Sequence, residues 1–488
     1  FLSVHGAKAT QAQPGERYKL RGLPMVVVSD IIRNGIRKRA AVLFLAVMAA
    51  LGTAGCGHTV NPAETQNMEG LKNPDRPQDP GGVQNPGGAQ DPDGIRPPSG
   101  TGGFEAGPRE TDTGTNAPGQ GGATAPGSGT GSQYRWDRRD MVNVKLPSAY
   151  DYRKTGRAPQ IGNQGSLGTC WAFASLTALE SSLLPGKPMT FAVDHMSMHN
   201  SFLLGQDEGG EYTMSMAYLL AWQESQDPYG DGVSPDGLTP SVHVQEIQVL
   251  PSKDYEAIKR AVYLRGGVQS SLYTSMRDYQ SQSVYYNRET NSYCYIGSEK
   301  PNHDSVIVGW DDDYSRENFN MDLAGDGAFI CTNSWGEDFG DQGYFYVSYF
   351  DSNIGVHNIV YTGVEPVDNY DRIYQSDLCG WVGQIGYGQD EAWFANAYRA
   401  GMGENLAAAG FYATDRNTEY ELYVARNLPD AGAGEMEDAL GKRIFLAKGR
   451  LDNAGYYTIP LDKKIPLEDN EKFAIIVKII TPGTVHPV

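Results

Sequence analysis

Cysteine is scarce: five in 488 residues cannot make a disulfide scaffold, so each thiol is read on its own as packing, chemistry or attachment. Positive charge is short as well. With 40 Lys+Arg against 59 Asp+Glu the formal net charge is −19, which argues against a nucleic-acid binder, since displacing counterions from phosphates needs a basic face. A long hydrophobic run is also missing: the apolar stretch at residues 40–52 is too short for a membrane-spanning helix. What is plentiful is glycine (59) and proline (28), unevenly spread, and a length that calls for two or more folded units.

Arg33, Arg37, Lys38 and Arg39 precede that apolar stretch, and small residues follow it, which is the pattern of a secretory signal. Its end, Leu51-Gly52-Thr53-Ala54-Gly55-Cys56, resembles a bacterial lipoprotein box, with Thr53 where the motif prefers leucine. The resemblance implies a signal over residues 25–56 and a lipid on Cys56, the membrane being touched only through that anchor. Residues 1–24 precede Met25, the expected start, and are expected to carry no structure. From residue 57 to about 137 the chain is mostly Pro, Gly, Gln, Asn, Asp, Ser and Thr, with Asn/Asp-Pro steps beginning at Asn73, Asp79, Asn85 and Asp91. Such a stretch cannot bury enough apolar surface to offset its conformational entropy, so it reads as a disordered stalk reaching tens of Å.

Ordinary globular composition runs from about residue 138 to 366. Within it, Gln164-Gly165-Ser166-Leu167-Gly168-Thr169-Cys170-Trp171 leads into an apolar run at 172–184 that reads as a buried helix ending at Pro185-Gly186. A cysteine at a helix start sits where backbone N–H groups and the helix dipole favour an anion, so its thiol is expected to be more acidic than usual. Asn302-His303-Asp304 opens one strand-like run, and Asn333-Ser334-Trp335-Gly336 follows another at 328–332. A thiol at a helix N-terminus, an imidazole to take its proton and an amide oxygen to orient the ring are the parts of nucleophilic thiol chemistry.

Together with Phe339-Gly340-Asp341-Gln342-Gly343-Tyr344, these motifs resemble the papain-type cysteine proteases over about residues 146–364. The resemblance implies an α+β architecture: a two-lobed catalytic domain, one lobe helical and one a β-barrel. It makes Cys170 the nucleophile, His303 its proton partner in a thiolate–imidazolium pair, and Asn333 the residue orienting the imidazole. Gln164 and the backbone N–H of Cys170 would hold the oxyanion. Trp335 would shield the His303–Asn333 contact, and Gly209 and Gly210 would pair with the backbone of an extended protein or peptide substrate. No metal or organic cofactor is implied. Tyr212 and Asn302 fall near the expected cleft.

Several features depart from that pattern. Leu167 stands where many members keep a disulfide cysteine, and Cys294, Cys331 and Cys379 offer no obvious substitute pairing. The gap from His303 to Asn333 is long, with an expected hairpin or loop at 311–327. No helical inhibitory propeptide is legible before Leu146, so restraint by some other means is expected. His195 and His199, four apart but with no third ligand at a telling spacing, read as helix residues rather than metal ligands. Asp311, Asp312, Asp313, Asp322 and Asp326 lack a calcium-loop pattern and read as a solvated turn.

From about residue 367 to 488 the pattern changes to short strand-like runs at 408–414, 421–425, 444–448, 456–459 and 473–480, divided by turn signals, which suggests a β-sandwich. Its opening, residues 370–377, resembles the lectin-like domain attached to bacterial papain-type proteases. A glycan or cell-wall ligand is the corresponding expectation, although Tyr374, Trp381, Trp393 and Phe394 read as core aromatics. The resulting expectation is an exported, lipid-anchored cysteine endopeptidase at the bacterial cell surface. Its rivals are a catalytically inactive surface protein that binds glycan or cell wall, and a hydrolase of cell-wall peptides.

Overall fold

The computed structural model describes residues 2–7, 144–202, 204–223, 238–276, 278–430 and 432–488. The expected signal at 25–56 with Cys56, the expected stalk at 57–137 and the lead-in at 138–143 lie outside the described residues. Among the described residues no helix is long and apolar enough to cross a membrane.

The chain begins with strand β1 (Leu2–Ala7), which overturns the expectation that the first residues carry no structure. Then come β2 (Ala149–Asp151), helix α1 (Cys170–Leu183), α2 (Val193–Met198), α3 (Tyr212–Leu220), β3 (His243–Val249), α4 (Tyr255–Leu264), β4 (Val268–Leu272), β5 (Tyr286–Asn287), β6 (Ser292–Tyr293) and β7 (His303–Asp311). Next are β8 (Ala328–Thr332), β9 (Tyr344–Ser348) and β10 (Asn358–Glu365). The last third contributes β11 (Arg372–Gln375), β12 (Glu391–Arg399), β13 (Asn405–Ala413), β14 (Thr418–Ala425), α5 (Ala433–Gly441), β15 (Ile444–Leu451), β16 (Ala454–Pro466) and β17 (Lys472–Ile480).

The fold is mixed α+β, as expected. One helical group, α1 to α3, carries the nucleophile candidate, and an antiparallel run β10-β4-β7-β8-β9 carries the histidine and asparagine. The two meet where α1 lies on β7. Ala172, Ala174, Ser175 and Ala178 are small and buried, which lets the helix axis come close, while Trp171, Leu176 and Leu179 fill the core around it. β7 is buried along His303 to Trp310, and its apolar stretch from Val306 to Trp310 reflects cover on both faces. The insertion at 311–327 is a loop with a single short turn of 3-10 helix at Arg316–Asn318. It has a small core of its own, where Phe319 and Leu323 pack with Cys294 and Ala328.

The last third is not hung on a linker. β12, β17, β14 and β15 form a four-stranded sheet, whereas β11, β1, β13 and β16 join the large sheet of the first part. The join is antiparallel pairing of β16 with β3, with Ala454 opposite Val249, Gly455 opposite Gln248 and Tyr456 opposite Ile247. Tyr412 and Tyr456 pack into the main core. Between the two sheets lies a second core built on Leu406, Phe411, Leu422, Phe473, Ile475 and Val477. All five expected strands are present, while β11, β12 and α5 are additions that the residue pattern does not single out.

Gly455 sits at the join with φ +140°, and a Cβ there would lie 2.1 Å from the carbonyl oxygen of Ile247. Only glycine tolerates both the backbone angle and the approach. Gly455→Ala is expected to destabilise the chain by about 2 kcal/mol, read as a lower urea midpoint at unchanged slope. An unchanged midpoint would show that the β3–β16 pairing contributes little.

Candidate functional site

Cys170 is the first residue of α1 and follows Thr169, whose carbonyl accepts from the backbone N–H groups of Ala172 and Phe173. The Asp304 carboxyl is near enough to raise the Cys170 thiol, while the backbone N–H groups of Cys170, Trp171 and Asp304 favour its anion. Because Asp304 is the second residue of β7, this places the sulfur alongside the start of the strand that His303 opens.

His303 is buried, with 7 % of its surface exposed. Its Nε2 lies 2.8 Å from Asn333 Oδ1. The same oxygen accepts from the backbone N–H of Ser334 at 2.8 Å, so it is an acceptor and the imidazole must carry its hydrogen on Nε2. That tautomer leaves the Nδ1 lone pair free to take a proton. Trp335, 4 % exposed, covers the pair with its ring centroid 4.9 Å from that of the imidazole. It is braced edge-on by Phe339 at 4.9 Å.

Gln164 is pinned at both ends of its amide. Its oxygen accepts from Ser334 Oγ at 2.6 Å, and its nitrogen donates to the Leu167 carbonyl at 2.7 Å. A second N–H hydrogen remains on that nitrogen. The backbone reinforces the position, with Gln164 N donating to the Ser334 carbonyl at 2.8 Å. Gly336, at φ +78°, turns the 333–336 segment back so that its N–H reaches the Gly162 carbonyl at 2.9 Å. Gly210 lies flat on Trp171: a Cβ there would come 2.6 Å from the indole. Gly209, at φ +77°, supplies the turn that allows this approach.

The structure therefore joins Gln164, His303, Asn333 and Trp335 through Ser334, a hydrogen bond and a ring contact, sets Gly210 on Trp171 next to Cys170, and puts Cys170 near Asp304, the chain neighbour of His303. Their electrostatics differ from the sequence expectation in one respect. Burial pushes the Cys170 thiol up to about 11, the nearby Asp304 carboxyl adding to the effect, where the helix N-terminus alone predicts a depressed value. Burial also pushes the His303 imidazole down to about 4 against the Asn333 hydrogen bond, which favours the charged form. Taken singly, each group is driven to neutrality. The helix dipole loses because it acts on a sulfur already stripped of water.

Asn302, expected near the cleft, clamps the backbone of Thr274, accepting its N–H at 2.7 Å and donating to its carbonyl at 2.9 Å. Tyr212 stands with its ring 5.7 Å from that of His357. His195 Nδ1 lies 2.6 Å from Tyr218 Oη, and its ring stacks on His199 at 4.2 Å. Asp312 pairs with Lys259 and accepts from Tyr349 Oη at 2.7 Å. Cys170, Cys294, Cys331 and Cys379 are free thiols. Tyr374 and Phe394 join the second core, Trp381 packs on the main core, and Trp393 packs beneath α5 with the Arg443 guanidinium 4.6 Å above its ring. Two residues of the site escape the sequence reading. Ser334 lies inside a motif that was read, and a hydroxyl next to the orienting amide was the available signal. Asp304, a carboxyl in an otherwise apolar strand pattern beside His303, was the other.

Residues 146–364 match the model of the papain family cysteine proteases, and residues 373–488 match that of a lectin-like domain. Cathepsin K of Mus musculus is 26 % identical over 211 residues, an alignment covering 41 % of this chain and 59 % of the relative. Cathepsin S of Rattus norvegicus is 29 % identical over 231 residues, covering 43 % and 64 %. A structure of the clostridial cysteine protease Cwp84 after propeptide cleavage superposes with a TM-score of 0.61 at 26 % identity, covering 70 % of this chain and 87 % of that one. A structure of the cysteine protease and lectin-like domains of Cwp84, described as a surface layer associated protein of Clostridium difficile, gives 0.59 at 26 % identity, covering 69 % and 76 %.

The Ser334–Gln164 contact can be weighed directly. A double-mutant cycle of Gln164→Ala and Ser334→Ala is expected to give a coupling energy of about 1 kcal/mol in urea unfolding. Strict additivity would mean that the hydroxyl does not hold the amide.

Proposed function

From a chain that carries a papain-family cysteine protease domain followed by a C-terminal lectin-like domain, we infer an exported endopeptidase that cleaves protein or peptide substrates through Cys170. The observation that carries this reading is the 2.8 Å contact from His303 Nε2 to Asn333 Oδ1, which leaves Nδ1 free to take a proton. An extended peptide would lie along Gly209 and Gly210 and present its carbonyl carbon to Cys170. Proton transfer from Sγ to Nδ1 creates two opposite charges at once. Their attraction, little weakened in a site this dry, offsets the two burial penalties that each charge would meet alone. A thiolate–imidazolium pair is thus stable where neither ion would be by itself.

The thiolate adds to the carbonyl, and negative charge develops on the oxygen. Gln164 Nε2, whose spare hydrogen is aimed by Ser334 and Leu167, and the backbone N–H of Cys170 receive that charge. His303 then gives its proton to the leaving amine, which forms a thioester on Cys170 and frees the first product. In the second half His303 takes a proton from water, hydroxide adds to the thioester, and the thiol leaves with the acid product. Asn333 holds the ring in one plane through both halves, and Trp335 keeps water from competing for the Asn333 oxygen.

Location follows from the sequence signal and from the surface-layer association stated for Cwp84. Both support a cell-surface enzyme, with lipid on Cys56 as the anchor and a glycan or cell-wall component as the ligand of the second domain. Hydrolysis of casein by the full chain tests the reading. Cys170→Ala is expected to lower turnover by at least about a thousandfold. Retained turnover would remove Cys170 from the chemistry, and absence of turnover in the wild type together with no epoxide labelling of Cys170 would leave a binding protein.

A further inference from the structure

Behind the nucleophile lies a buried carboxyl that the reaction above does not use. Asp304 is 9 % exposed, and its side chain leaves β7 towards the first turn of α1. Gln269 on β4 donates from Nε2 to Asp304 Oδ2 at 3.0 Å, and the same nitrogen lies 3.5 Å from the carbonyl oxygen of Trp171. Tyr361 Oη, on β10, donates to Gln269 Oε1 at 3.4 Å and fixes the amide from its other end. Ser271 stands directly opposite Asp304 in the β4–β7 register, and its hydroxyl favours the charged carboxyl. Meanwhile the Asp304 carboxyl is near enough to Cys170 to act on its thiol. One carboxyl thus acts on the nucleophile by its charge and, through Gln269, reaches the turn that carries it.

We propose that Asp304 is the positioning residue for Cys170: its carboxyl, relayed by Gln269, locks the first turn of α1 against β7, and its negative charge opposes that of the thiolate. This inference rests on Cys170 acting as the nucleophile. The lock explains why a polar pair is kept inside an otherwise apolar contact between helix and strand, where a buried carboxyl is costly unless it is bonded. The charge has the opposite effect to that of the helix N-terminus, so the two together hold the acidity of the sulfur within bounds.

The groups around Asp304 set the sign. Cys170 faces it from α1, Gln269 and Ser271 from β4, and Tyr361 from β10. Glu211 and Tyr212, at the start of α3, and His357, just before β10, complete the surroundings. Burial raises the Asp304 carboxyl above its ordinary value, Glu211 adds to that rise, and His357 and the hydrogen bonds counter it. Removing the carboxylate therefore favours the thiolate and moves its formation to lower pH.

The test is the rate of Cys170 alkylation by iodoacetamide as a function of pH, in the full chain, for wild type, Asp304→Asn and Asp304→Ala. Asparagine keeps the size and an acceptor for Gln269 but not the charge. Its acidic limb is expected to fall by about one pH unit. Alanine also loses the lock, and its kcat/KM on a peptide substrate is expected to drop at least about tenfold through kcat, a slightly displaced nucleophile sufficing for that loss. An asparagine profile that overlays that of the wild type, or moves upward, overturns the proposal whatever alanine does. A wild-type sulfur no more reactive at neutral pH than a free thiol would instead overturn the protease reading itself.

Discussion

Everything at the site depends on the seating of one helix on one strand. The small residues of α1 let its first turn come down on β7, which brings Cys170 near Asp304. Cys170 and His303 belong to different parts of the fold, and neither could be placed relative to the other through chain connectivity alone. Close packing does this, since an interior at crystal-like density transmits position without slack. The hydrogen bonds around it refine what packing sets: Asn333 on the imidazole, Ser334 on Gln164, Gln269 on Asp304.

Water exclusion accounts for both the difficulty and the power of this arrangement. The surroundings that make a lone thiolate or a lone imidazolium expensive make the attraction between them large.

The identities of the site residues were legible because each stood in a local pattern with a chemical reason: Cys170 at a helix start, His303 at a strand start, and Asn333 after a strand. Gln164 was legible only through the family resemblance. What surrounds them was less so. The raised pKa of the Cys170 thiol is a property of burial, which belongs to the folded chain and not to the helix. The hold of Ser334 on Gln164 depends on a turn at Gly336 that returns the chain over Asn163. In the last third, β14, β16 and β17 carry β-branched and aromatic residues that mark them as strands. β12 mixes three aromatics with alanine, asparagine and charge, and α5 follows the turn signal at 428–432 without a marked helical start. The pairing of β3 with β16 joins residues some two hundred positions apart, and no local window contains it.

That pairing has a geometric consequence. Two modules sharing one hydrogen-bonded sheet and one hydrophobic core cannot swivel about each other as beads on a string do. A ligand held on either module would therefore stand at a fixed distance and bearing from the other, where a flexible tether would let it sample a whole sphere of positions.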